Sequence, residues 1–254
     1  MSLNKYKRGK VLDIVKLRDW YRTPTGHVVR RLIQNALADM WPNITGKRIL
    51  VIGYGIPYVK LWLKEAQVFC ALPAKMGAMR WPDHAPNRCA LTWESELPFN
   101  DETFDAIFMV HCLEFCQHEH EVFDECSRVL KDDGRLLCLI PNRGGAWSHR
   151  EISPLALGKP YSLGQLEKSL QESSFIRTQS EFALFTPPTN RQWIHNYSET
   201  FEKIGRKFRA PMGGVILMEG KKDIHAGVVV RSQENFSKRF ILRPARLGTN
   251  FIKP

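Results

Sequence analysis

The fold this sequence predicts is α/β: a largely parallel, seven-stranded sheet with helices on both faces. Two observations predict it. From Lys47 onward, short apolar runs alternate with amphipathic stretches, the pattern of β-α-β units. The chain has 254 residues, 43% of them hydrophobic and 25% charged, which suits one large core with appendages and excludes disordered, collagenous and disulfide-stapled classes.

The elements follow in order. Asp13 to Tyr21 reads as a short helix broken by Thr23-Pro24-Thr25-Gly26. Thr25 is placed to cap a second helix, in which Val29, Leu32, Ile33, Ala36, Leu37 and Met40 recur at helical spacing until Trp41-Pro42. Arg48 to Ile52 is the first strand, followed by Gly53-Tyr54-Gly55-Ile56-Pro57 and a helix to about Glu65. Gln67 to Leu72, Cys89 to Thr92, Ala106 to Val110 and Arg135 to Ile140 are the next four strands. Glu119 to Leu130 is an amphipathic helix between the last two of these, with a turn at Asp132-Asp133-Gly134. Ser162 and Gln165 suit a capping box at the head of a helix to Ser173. Glu181 to Phe185 and Gly214 to Glu219 close the sheet as two strands around a helix from Arg191 to Lys207. The expected organisation is a helical cap over 1–44, a core domain over 45–220 and a tail over 221–254.

Net charge is +11, which favours contact with something anionic without choosing among nucleic acid, phosphorylated ligand and membrane surface. The tail holds eight basic residues against Asp223 and Glu234, with Phe236, Phe240 and Phe251 among them, a composition able to meet a nucleic-acid backbone. No apolar run approaches the roughly 20 residues of a membrane span, the first ten residues are polar and basic, and the six cysteines sit in apolar or helical patterns. A reduced, cytoplasmic protein without a membrane span is expected. Cys112, Cys116, His111, His118 and His120 include soft ligands, but no second paired motif completes a zinc site, so no metal is expected.

In an open parallel sheet, ligands bind beyond the carboxyl ends of the strands. Four loops qualify here: Gly53-Tyr54-Gly55, Cys70-Ala71-Leu72-Pro73, Trp93-Glu94-Ser95-Glu96 and His111-Cys112-Leu113-Glu114. An acidic side chain in the third could accept from an amino group, and His111 leaves its strand toward the common crevice.

These pieces carry a resemblance. Arg48 to Pro57, Leu97-Pro98-Phe99 with Phe104-Asp105, His111 to Glu114, and Arg128-Val129-Leu130 with Gly134-Arg135-Leu136 occur in an order that resembles the class I S-adenosylmethionine-dependent methyltransferases of the type 11 group, over roughly residues 46 to 220. The resemblance implies a Rossmann-like methyltransferase sheet, S-adenosylmethionine as cofactor and a small-molecule acceptor. Its cofactor site maps onto Gly53, Tyr54, Gly55, Leu72, Trp93, Glu94 and His111, with His111 the candidate base and Arg143 and Tyr161 candidate substrate contacts. The sequence departs from the pattern at two places. Val51 and Pro57 stand where the first motif carries an acid and a glycine, and Ala71 or Leu72 replaces the ribose carboxylate. Losing such a charged acceptor forfeits about 1.5 to 3 kcal/mol unless another group substitutes. The expected substitutes are backbone groups of residues 53–55 and 71–73, Tyr54 against the sulfonium, and Glu94 on the adenine amino group. The alternative expectation is a non-catalytic relative that keeps the fold as a binding or assembly module, with RNA as a partner. The acceptor pocket would come from residues 11–42 and 141–210.

Overall fold

A computed structural model describes residues 12–208 and 210–223; most of the predicted basic tail, and the nucleic-acid contact expected of it, lie outside the described residues. Seven strands form one sheet: β1 (Arg48–Gly53), β2 (Gln67–Pro73), β3 (Cys89–Thr92), β4 (Phe104–Val110), β5 (Leu130–Pro141), β6 (Phe175–Ala183) and β7 (Val215–Lys222). Their order across the sheet is β3-β2-β1-β4-β5-β7-β6. The first five in that order run parallel, and β7 is antiparallel to both its neighbours. The mostly parallel sheet is therefore as expected, with one antiparallel hairpin at its edge.

Among the described residues, seven α-helices accompany it: α1 (Ile14–Tyr21), α2 (Pro24–Met40), α3 (Ile56–Val59), α4 (Glu119–Val129), α5 (Leu163–Gln171), α6 (Gln192–Asn196) and α7 (Ser198–Lys207). Alternation along the strands sorts the core into two layers. Ile49, Val51, Val68, Phe108, Leu137 and Leu217 face the layer that buries α1, α2 and α3. Leu50, Ile52, Ile107, Leu136, Cys138 and Met218 face the layer under α4 and α5. Strands buried on both sides must be apolar at consecutive positions, which is why β1, β4 and β5 were visible in the sequence. Among the described residues, no helix is long and apolar enough to cross a membrane.

Local chemistry fixes the helix starts. Asp13 caps α1 by accepting from the Val15 and Lys16 amides, and Ser162 with Gln165 forms the predicted capping box on α5. The cap of α2 is Thr23, not Thr25: Pro24 is preorganised for the first helical position, and Thr23 Oγ1 accepts from Gly26 N at 3.1 Å. The helix expected after β1 is a single α turn continued by a 3-10 segment, Lys60–Lys64, and the helix expected over 191–207 divides at Tyr197.

The loop from β3 to β4 is tied to α4 by one arginine. Arg128 donates to the carbonyls of Leu97 and Phe99 and to the carboxylates of Asp101 and Glu125, while Glu125 accepts from the Leu97 amide at 2.9 Å. The Arg128 guanidinium holds the Glu125 carboxyl below its usual range despite partial burial. A carboxyl whose folded pKa is depressed contributes stability that is fully present above its unfolded value of about 4.3 and lost as pH falls through the lower folded value. Unfolding free energy is therefore expected to decline below about pH 4.3, with a shallower decline in Glu125→Gln. Urea titrations of both proteins between pH 3 and 7 check this, and parallel slopes would contradict it.

Candidate active site

The segments beyond the carboxyl ends of β2, β3 and β4 converge on a cavity of about 520 Å³. Its wall includes Pro73 and Met76 beyond β2, Glu94 beyond β3, and His111, Cys112 and Glu114 beyond β4. Leu12 and the Leu157–Gly158–Lys159 segment complete it. Of the sequence-predicted residues, the structure brings Glu94 and His111 to this wall.

The others are placed differently. Gly53 turns the chain at φ +86, and a Cβ there would lie 2.0 Å from the Val110 carbonyl oxygen, so it serves the crossing of β1 and β4. A Cβ on Gly55 would lie 2.5 Å from Val51 Cγ1. Leu72 is buried in the core, and Trp93 is 53% exposed and lines no described cavity. Tyr54 is buried and lines a second, neighbouring cavity. The Tyr161 hydroxyl donates to Glu119, which also holds Lys159 and Ser169, and Arg143 donates to the Pro160 carbonyl at 3.2 Å. Neither Tyr161 nor Arg143 is part of the cavity wall.

His111 is 1% exposed and leaves β4 with φ +53, a backbone region that non-glycine residues seldom occupy. Its Nε2 lies 2.7 Å from the Tyr21 hydroxyl, which is 2.5 Å from the Tyr58 hydroxyl. Its Nδ1 lies 3.4 Å from Glu114 Oε1. Burial raises the pKa of Tyr21 and Tyr58, and the nearby Glu114 charge adds to the rise, so both hydroxyls stay protonated. One assignment is consistent with this chain: Tyr58 donates to Tyr21 and Tyr21 to His111 Nε2, which leaves the ring proton on Nδ1, 3.4 Å from Glu114 Oε1 without a hydrogen bond between them. Glu114 Oε2 accepts from the Cys112 amide at 3.1 Å.

Two carboxylate oxygens in this wall have no hydrogen-bond partner although buried: Glu114 Oε1 and Glu94 Oε2. The stem of Glu114 is pinned, because the space a Cβ on Gly158 would take is filled by Glu114 Cγ at 2.5 Å. Glu94 is steadied by the Cys116 thiol at 3.7 Å from Oε1, and its loop by Arg128. Sequence reading placed Glu114 in a motif but gave it no role, since a glutamate four residues beyond a strand end carries no sign of whether it turns inward. Cys112 and Cys116 have their sulfurs 4.0 Å apart. Among the described residues, no three metal-ligating side chains cluster.

Residues 77–138 match the family model described as a methyltransferase domain. A demethylmenaquinone methyltransferase from Tropheryma whipplei is 42% identical over 60 residues, a match that covers 21% of this chain and 25% of that protein. The chain thus matches only a quarter of that relative's length. A SAM-dependent methyltransferase from Thermotoga maritima superposes with a TM-score of 0.56 at 16% identity, over 82% of this chain and 96% of that one. The 1,6-didemethyltoxoflavin N1-methyltransferase of Burkholderia thailandensis, solved with 1,6-didemethyltoxoflavin and S-adenosylhomocysteine bound, gives 0.51 at 15% identity, over 82% and 84%. At these identities the likeness is one of fold.

Proposed function

We infer that this chain, built on the fold of class I S-adenosylmethionine-dependent methyltransferases, binds S-adenosylmethionine in the cavity walled by Glu94 and Glu114 and transfers its methyl group to a small-molecule acceptor. The observation that carries this reading is the pair of buried, unpartnered carboxylate oxygens in one cavity wall. An acceptor left without a donor in a buried site costs about 1 to 3 kcal/mol, more when charged, so the wall suits a ligand rich in donors or positive charge. S-adenosylmethionine offers amino and hydroxyl donors together with a sulfonium cation. The carboxyl groups missing at positions 51 and 71, which motivated the non-catalytic alternative, have counterparts in Glu94 and Glu114.

The bound cofactor would supply an electrophilic methyl group, and the chain's own residues do the rest. Glu94 holds donor groups of the cofactor. Glu114 accepts the proton that a protonated acceptor must lose, and is the base in place of His111. His111 is held at Nε2 by Tyr21, with Nδ1 3.4 Å from Glu114 Oε1, and acts as a positioning residue beside Glu114. The apolar contribution of Leu12, Met76, Phe115 and Leu157 to the wall excludes water from the reacting groups. A cavity of about 520 Å³ falls in the size range of small-molecule sites, in line with the small substrate bound by the Burkholderia enzyme.

Calorimetric titration with S-adenosylmethionine tests the reading. Saturable binding with a dissociation constant below about 1 mM is expected. A folded protein that gives no heat at millimolar cofactor would overturn it.

A further inference from the structure

The larger cavity, about 820 Å³, is lined in part by Tyr21 and Tyr54 and has a different chemistry from the site above. Arg18, Arg22, Arg30, Lys60, Arg80 and Arg88 line it, and among the described residues Asp83 is the only acidic one that does so. Arg18 is paired with Asp19 at 2.9 Å, and Arg80 reaches the Ala85 carbonyl. The side chains of Arg22, Arg30, Lys60 and Arg88 make no hydrogen bond or ion pair with any described residue. Arg30 Nε is buried without a partner. The charges are felt across the wall: burial pushes the Tyr54 hydroxyl up to about 12, while Arg18 and Arg22 pull against that rise.

Cations gathered around one concavity repel each other, and low-dielectric walls strengthen the field they create. The two terminal segments offer little to neutralise them, since residues 1–11 contain no aspartate or glutamate and residues 224–254 contain only Glu234. The counter-charge is therefore to come from outside. Five of the six cations are arginines, whose planar fork matches phosphate oxygens two at a time. The same wall carries Ile14, Leu63, Met79 and Trp81, which suit an apolar or aromatic body attached to the anionic group. The volume fits a small molecule rather than a nucleic-acid duplex.

We propose that this cavity is a second ligand site, which binds a phosphorylated small molecule carrying two or more negative charges. The proposal stands independently of methyl transfer, and it places part of the chain's basic character in a pocket as well as in its tail.

Inorganic pyrophosphate is the probe, titrated calorimetrically into the full chain, with citrate as the carboxylate comparator and an oligouridylate as the nucleic-acid comparator. The expected result is saturable pyrophosphate binding that weakens with salt, exceeds citrate binding, and falls about ten-fold or more in Arg22→Ala/Arg88→Ala. Thermal unfolding of the double variant should match or exceed that of the parent, because like-charge repulsion is relieved. Lys60→Gln, at an exposed position, repeats the test should the double variant misfold. Any of four results overturns the proposal: no saturation by about 10 mM pyrophosphate, undiminished binding in both variants, tighter binding of citrate, or displacement of pyrophosphate by S-adenosylhomocysteine. Oligouridylate binding that needs Arg22 and Arg88 while pyrophosphate does not bind would reassign the cavity to nucleic acid.

Discussion

Glu94→Gln and Glu114→Gln are each expected to weaken S-adenosylmethionine binding by about ten-fold or more, and the double variant by about a hundred-fold. The size follows from burial. Two unit charges several ångströms apart at a partly buried site interact by about 1 to 3 kcal/mol, and each carboxylate also provides an acceptor with no competing partner in the chain. S-adenosylhomocysteine separates the two contributions. It shares the amino and hydroxyl donors but lacks the sulfonium charge, so its affinity should fall less than that of S-adenosylmethionine wherever the carboxylate acts through charge. Glu94→Gln removes a buried charge with an unpartnered oxygen, so in that variant the ligand-free protein should unfold at the same or a higher temperature than the parent. Unchanged affinity in both single variants, with normal unfolding, would remove the carboxylates from the site.

Gly53→Ala should destabilise the chain by about 3 kcal/mol or more, enough to lower the melting temperature by roughly 6 to 12 °C. Three features combine at this position. The backbone sits at φ +86, where a side chain is strained, and the added Cβ would lie 2.0 Å from the Val110 carbonyl oxygen and 3.2 Å from Cys112 Cβ. Relief requires β1 and β4 to separate at the ends where their register pairs Gly53 with Val110. The following segment carries His111, so the substitution should also reduce cofactor affinity. Gly46→Ala is the matched control: Gly46 has φ +73 but open space around its Cβ position, so only the backbone strain remains. Calorimetric unfolding of the two variants should therefore differ by more than the strain they share, and equal melting temperatures would show that the Val110 contact is absorbed without cost.

The central strands were legible because burial on both faces leaves an uninterrupted apolar signature. The edge was less so. β6 runs from Phe175 to Ala183, with exposed or half-buried residues at every position between them, so periodicity located only its end, near Glu181. β5 begins at Leu130, before the Asp132-Asp133-Gly134 stretch that reads as a turn, because Leu130 pairs with Phe104 ahead of an irregularity in the ladder. In the site, Glu94 and His111 were recoverable from their positions beyond strand ends. Glu114 was not, because its inward turn depends on Gly158 and Lys159, more than forty residues away. The basic cavity was hidden for a similar reason. Arg18, Arg22 and Arg30 come from the first two helices and the turn between them, and Arg80 and Arg88 from the segment after β2, so no local window contains the cluster.

Helix α1 has a place in both halves of this chemistry. Leu12, just ahead of it, belongs to the wall of the smaller cavity, while Ile14, Val15, Arg18 and Tyr21 belong to the larger. It is fastened by the Trp20 indole to the Ile152 carbonyl at 2.9 Å and by Tyr21 to Tyr58 and His111. A partition shared in this way makes the two chambers thermodynamically accountable to one another. Whatever factor an occupant of one chamber applies, through α1, to the affinity of the other is applied in return by the second occupant to the first.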